Sequence, residues 1–189
     1  MARWEPEPRE RLLRAALELF EEQGYDSTTV VQIATRAGLT KSTFFRHYPD
    51  KREVLFAGED LLCRLTADGI AAAEEAATPL EAVVAALQAA AEAFVEGRRD
   101  YGPRLIAVIA GNRELRERSA MKEAAITAAM AEALQKRGVA ERTALIAAEL
   151  GGLAMHRAYA LWASPANRSE FAELAQQELA ELRSAAADL

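Results

Sequence analysis

Residues 28–48 read TTVVQIATRAGLTKSTFFRHY, and the spacing within this stretch decides the fold. Val30, Ile33, Ala34 and Ala37 recur at helical intervals and give a first short helix an inward face. Gly38 makes a turn, and Thr40 is placed to cap a second short helix. On that second helix Phe44, together with Leu39, points inward against Ile33 and Ala34, while Lys41, Ser42 and Thr43 point out. Two short helices joined by a glycine turn, the second carrying small polar and cationic side chains, imply a helix-turn-helix that lays its second helix in the major groove of DNA. Lys41 can donate to guanine O6 and N7; Ser42 and Thr43 reach several base edges. Thr28, Thr29, Thr40, His47 and Tyr48 can donate to the phosphate backbone. Lys51 joins them at the start of the next helix, where a cation and free backbone N–H groups would meet a phosphate.

Upstream, MARWEPEP reads as a loose arm, whose Arg3 is a minor-groove candidate. A helix begins near Pro8, carries Leu12, Ala16, Leu19 and Phe20 on one face, and ends at Gly24. Asp26, Ser27 and Thr28 can each cap the helix that follows. Downstream, Pro49 stops the recognition helix, because the residue before proline resists helical dihedrals. Asp50 then caps a longer helix with Val54, Gly58, Leu61, Leu62 and Leu65 on one side. Further helices are expected at about 80–96, 104–110, 114–137, 142–163 and 169–186. Thr78-Pro79, Gly102-Pro103, Gly138 and Ser164-Pro165 punctuate them.

The 189 residues are 51% hydrophobic, rich in alanine and leucine, and poor in β-branched runs. An all-α protein follows, divided into an N-terminal three-helix helix-turn-helix domain over 1–56 and a C-terminal helical domain over 57–189. The net charge of −6 conceals an asymmetry: residues 1–56 hold nine basic and nine acidic side chains, and Arg36, Lys41, Arg46, Lys51 and Arg52 face only Asp50 as an acid within 27–52. A cationic stripe on an otherwise acidic chain suits a protein that meets phosphates with one face. The single cysteine, Cys63, has no internal disulfide partner, so a reducing cytoplasm is the expected location. The apolar stretch from Thr143 to Ala163 contains Glu149, His156 and Arg157, and reads as a core helix and not a membrane span.

The block RERLLRAALELFEEQGYDSTTVVQIATRAGLTKSTFFRHYPDKREVLF resembles the N-terminal domain of the tetracycline-repressor (TetR) family of transcription regulators over about residues 9–56. The resemblance implies that Lys41, Ser42, Thr43 and Arg46 face bases, and that Thr29, Thr40, His47, Tyr48 and Lys51 clamp phosphates. Many relatives carry tyrosine where this chain has Phe45, which cannot donate to a phosphate; Tyr48 is the residue expected to replace it in part. The FFR wording also resembles a subgroup described as binding acyl-CoA-like ligands.

By the same resemblance, the C-terminal half would bind a small-molecule effector, hydrophobic or acyl-CoA-like, and dimerise through its last two long helices. The residues give independent hints. Leu145, Ile146, Leu150, Leu153, Tyr159, Leu161 and Trp162 surround most of one helix, which must then be covered on several sides. Gly151 and Gly152 each cost a helix about 1 kcal/mol against alanine, a cost that close approach across a two-fold axis would offset; tight packing within the chain is the other explanation. Leu150, Gly151, Gly152, Leu153, Phe171, Leu174, Leu179 and Leu182 are therefore the expected homodimer contacts. Phe94, Arg104, Leu105, Ile109, Met121, Met130, Met155, His156, Tyr159 and Trp162 are the pocket candidates, with His156 as a buried-looking polar group and Arg104 as a draw for an anion.

An enzyme is disfavoured. His47 and His156 are the two histidines, no glycine-rich phosphate loop is present, and no spacing suits a metal; the distant alternative of a helical enzyme would use Cys63 with His156. No cofactor is expected. The expected partners are a palindromic duplex operator, a second copy of the chain and a small effector. An activator or architectural DNA-binding protein without any effector stays open beside the repressor.

Overall fold

The computed structural model describes residues 7–94 and 99–188, and every regular element in that range is helical. The elements are α1 (Pro8–Gln23), α2 (Val30–Arg36), α3 (Lys41–His47), α4 (Glu53–Phe56), α5 (Glu59–Ala72), α6 (Pro79–Ala90) with a 3₁₀ turn at Ala91–Ala93, α7 (Gly102–Gly111), α8 (Arg113–Lys136), α9 (Glu141–Trp162) and α10 (Phe171–Ala187). The arm with Arg3, and residues 95–96 of the helix expected at about 80–96, lie outside the described residues.

The chain forms two compact units. The first takes the described residues up to Ala57 together with Arg104–Glu117, and the second takes Gly58–Pro103 and Arg118–Leu189. A segment distant in sequence thus joins the N-terminal helices, which a boundary drawn at residue 56 omits.

In the first unit, Pro8 opens α1, and Gly24 closes it at φ 84° with its N–H bonded to Phe20 O at 3.0 Å. Leu12, Ala16, Leu19 and Phe20 are all buried. The cap of α2 is Thr29, one residue beyond the expected candidates. Its hydroxyl accepts from Gln32 N–H at 3.3 Å, and Gln32 Oε1 accepts from Thr29 N–H at 2.8 Å, a reciprocal capping box. The turn after α2 is a Schellman motif: Leu39 N–H bonds Ala34 O at 2.8 Å, Gly38 N–H bonds Thr35 O at 2.9 Å, and Gly38 sits at φ 66°. Asp50 accepts from Arg52 N–H at 2.8 Å and Glu53 N–H at 3.1 Å in the turn before α4, but the N-cap of α4 is Arg52, with no side-chain cap bond. The long helix expected there is instead two, α4 and α5, because Gly58 adopts φ 104° between them.

The second unit packs α5, α6, α9 and α10 around Ile70, Val83, Leu87, Met130, Leu134, Trp162 and Phe171. Gly69 lets α5 lie directly on α6: a Cβ there would meet Ala85 O at 2.7 Å. Gly151 and Gly152 also serve packing within the chain. A Cβ on Gly151 would sit 2.7 Å from Val83 Cγ1, and one on Gly152 would strike the Thr127 hydroxyl. Packing within the chain, the other explanation the sequence offers, accounts for both glycines. No helix among the described residues is long and apolar enough to cross a membrane.

Candidate nucleic-acid interface

The α3 helix is held from beneath. Thr40 caps it, its hydroxyl accepting from Thr43 N–H at 3.1 Å and lying 3.0 Å from the Thr43 hydroxyl. Phe44 is completely buried and Tyr48 nearly so, their rings 5.8 Å apart. From α1, Arg11 reaches the turn before α3, donating to Ala37 O through Nε at 2.9 Å and Nη2 at 2.6 Å, and to Gly38 O at 3.3 Å. The sequence reading missed this clamp; an arginine on a helix already carrying an apolar face gives no signal of its own.

With those anchors in place, Lys41, Ser42, Phe45 and Arg46 stand in solvent and Thr43 is half-buried. The four expected base-facing residues therefore share one helix, three of them exposed. Among the described residues Lys41 and Arg46 enter no ion pair. The rest of the cationic stripe is committed. Arg36 holds Glu22 with two bonds of 2.9 and 2.8 Å and Glu18 at 3.3 Å; Arg52 meets Asp50 at 3.3 Å, Glu53 at 3.4 Å and Glu114 at 3.3 Å.

The expected phosphate contacts divide. Thr29 and Thr40 are exposed at the starts of α2 and α3. Thr28 is buried, and its hydroxyl donates inward to Gly24 O at 2.8 Å and Leu19 O at 3.4 Å, so it leaves the set. Lys51 also turns inward, its ammonium donating to Tyr25 O at 2.6 Å, Thr28 O at 2.9 Å and Asp26 O at 3.4 Å. Tyr48 packs on Phe44 and cannot stand in for the hydroxyl missing at Phe45 without leaving the core. His47 is half-buried, its Nε2 enclosed with no hydrogen-bond partner among the described residues.

The ten pocket candidates are divided between the two units. Arg104 pairs with Glu21 through bonds of 2.7 and 2.6 Å, and Leu105 and Ile109 belong with it to the first unit. Met121 is 67% exposed, and His156 is exposed with Nδ1 3.3 Å from Glu123 Oε1, which corrects its reading as a buried group. Met130 and Met155 fill the core of the second unit. There Phe94 stacks on Phe171 at 3.9 Å and contacts Trp162 at 5.6 Å and Tyr159 at 5.8 Å. Burial pushes the Tyr159 hydroxyl up to about 12. A separate groove of about 620 Å³ lies among α6, α9 and α10, floored by Leu80, Val84, Ile146, Leu150 and Leu179 with Arg183 at its edge. None of the ten candidates lines it. Cys63 is half-buried, and burial, then Glu59 and Asp60, push its thiol up, the opposite of what a nucleophilic thiolate requires.

A capped, clamped short helix that exposes two unpaired cations after a glycine turn has the form of a helix-turn-helix. Residues 12–57 match the family described as bacterial regulatory proteins, tetR family. Over that segment the chain is similar to the DNA-binding domain of TetR-family transcriptional regulators. Among curated relatives, the HTH-type transcriptional regulator TcmR of Streptomyces glaucescens is 54% identical over 46 residues, 24% of this chain and 20% of that protein. BetI of Rhizobium meliloti is 35% identical over 85 residues, 44% of this chain and 42% of its own. The chain thus spans less than half the length of these curated relatives. Among solved structures, Thermus thermophilus FadR, a TetR-family repressor in complex with lauroyl-CoA, is 26% identical with a TM-score of 0.50, covering 93% of each chain. SmeT, the repressor of the Stenotrophomonas maltophilia efflux pump SmeDEF, is 19% identical with a TM-score of 0.51, covering 94% of this chain and 89% of its own, and shares the fold.

Proposed function

We propose that this chain is a homodimeric repressor that binds a palindromic operator and is released by a small apolar effector. One observation carries the reading: Lys41, Ser42 and Arg46 stand exposed on one short helix whose other side, Phe44, is locked in the core. Two such helices must enter successive major grooves, about 34 Å apart, which requires two copies. The second unit offers a surface for that pairing. Ile146, Leu153 and Leu161 on α9 are 58%, 47% and 43% exposed, an apolar row that a partner's α9 and α10 would cover.

An acyl-CoA is the first effector to test, because the Thermus relative holds lauroyl-CoA. An effector shifts the equilibrium only by its different affinity for the two dimer shapes. The close stacking of Phe94 on Phe171 favours a second reading, a DNA-binding regulator that needs no effector.

The experiment is a gel shift on the DNA upstream of the chain's own coding sequence, with and without lauroyl-CoA. Binding that is abolished by combined Lys41→Ala and Arg46→Ala and weakened by the thioester supports the first reading. Binding indifferent to the thioester leaves the second. Binding that survives the double substitution overturns the assignment of α3.

A further inference from the structure

The geometry points to Phe45 as the reader of a 5-methyl group on a pyrimidine, a thymine in each half of the operator. This rests on the DNA-binding reading above and adds a specificity determinant to it. The first unit buries its other phenylalanines: Phe20, Phe44 and Phe56 are all within the core. Phe45 alone among them is 47% exposed, and it lies on α3 among the residues that face outward. It is also held in place. Its ring stands edge-on to Phe44 at 81° and 5.6 Å, and Phe44 cannot move without opening the core.

The chemistry of the ring narrows what it can meet. Phe45 has no hydrogen-bond donor or acceptor, so neither a phosphate oxygen nor the polar edge of a base satisfies it. The major-groove edge of duplex DNA carries one apolar group, the C5 methyl of thymine, and phenylalanine is among the side chains that contact it. Lys41 lies one helical turn before Phe45, with Nζ 5.8 Å from the ring centre. A cation able to take guanine O6 and N7 thus stands beside an apolar ring, and the two would read neighbouring base pairs.

The test begins by enriching duplexes from a random pool on the full chain. Each thymine of the selected operator is then replaced by deoxyuridine, which removes the methyl group alone. At one symmetric pair of positions wild-type affinity should fall by about fourfold per half-site, the effect of losing one buried methyl group. Phe45→Ala should bind the thymine and deoxyuridine operators equally, and Phe45→Leu, which keeps an apolar contact, should restore part of the difference. At that position 5-methylcytosine should bind better than cytosine. A wild-type protein indifferent to every deoxyuridine places Phe45 on the sugar-phosphate backbone and overturns the proposal while leaving DNA binding intact. A methyl dependence that persists in Phe45→Ala also overturns it. Failure to enrich any sequence sinks this proposal together with the reading on which it rests.

Discussion

The Lys51 ammonium lies 2.6 Å from the carbonyl oxygen of Tyr25 and 4.1 Å over the centre of the same residue's ring. Two further carbonyls, of Thr28 and Asp26, complete its surroundings at 2.9 and 3.4 Å. One cation therefore ties the loop between α1 and α2 to the segment that precedes α4. Carbonyls left without a donor there would lose a charge-assisted bond, and Lys51→Met keeps the stem while removing the donor. The substitution should cost about 2 kcal/mol and lower the melting temperature by about 5 °C in a chain of this size, read by circular dichroism. An unchanged melting temperature with lost operator binding would return Lys51 to the phosphate contacts.

The turn before the recognition helix depends on Gly38. At φ 66° any other residue is strained, and a Cβ there would press on Arg11 Nη2 at 2.7 Å. Gly38→Ala should cost about 1–2 kcal/mol from the left-handed backbone alone and should displace the Arg11 clamp. Operator affinity should then fall more than stability, because the clamp sets where α3 emerges. A melt and a gel shift on the same variant separate the two effects, and equal losses would show that the clamp has no positioning role.

The helix-turn-helix was legible in the sequence because its signals are local: Thr40 three residues before Thr43, a glycine after an apolar turn, and an aromatic at the inward position Phe44. The cap of α2 was placed one to three residues early, at Asp26, Ser27 or Thr28, and its capping box of Thr29 and Gln32 was missed. The inward turn of Lys51 and Thr28 was not visible. Both depend on carbonyls exposed by the loop between α1 and α2, and a backbone acceptor leaves no residue type to read. The C-terminal half misled for a related reason. In an alanine-rich helix, apolar spacing does not say which neighbour covers which face, so exposed Met121 and buried Met130 look alike.

Salt dependence separates the two exposed cations from the committed ones. Lys41 and Arg46 enter no ion pair among the described residues, whereas Arg36 is held by Glu22 and Glu18. Each cation that neutralises a phosphate contributes about one unit to the slope of log affinity against log salt concentration. Arg46→Ala should lower that slope by about one unit per half-site if it meets phosphate, or leave the slope and relax one base preference if it meets a base. Arg36→Ala should change neither, and a slope change there would show that its acidic partners release it on DNA.

Acid should weaken the first unit through its carboxylates. Hydrogen bonds from Arg104 hold Glu21 below the ordinary value of 4.5, and hydrogen bonds from Arg36 hold Glu22 below it as well. A carboxyl whose folded value is depressed contributes stability above the unfolded value and loses it as pH falls through the folded one. Both pairs are exposed to solvent, so each contributes little. Combined Glu21→Gln and Glu22→Gln should melt slightly below wild type at pH 7, and the two curves should converge as pH falls through the depressed values of both carboxyls. A gap that persists once both carboxyls are protonated would assign the effect to packing and not to ionisation.

The α9 helix carries two faces that respond to different substitutions. Gly151 faces inward, where a Cβ would sit 2.7 Å from Val83 Cγ1 and 3.3 Å from Met130 Sδ, so Gly151→Ala overfills a packed site. It should cost about 1–3 kcal/mol at every protein concentration, since the clash lies within one chain. Leu153, two residues on, is half-exposed on the opposite face. Leu153→Glu leaves the core untouched and places a charge, and its twofold copy, within the proposed homodimer contact. Sedimentation velocity should show Leu153→Glu shifted toward monomer at concentrations where wild type and Gly151→Ala remain paired, with weaker operator binding to match. A dimer unaffected by Leu153→Glu would move the contact off this row of α9, because an uncompensated buried carboxylate is among the costliest groups an interface can hold.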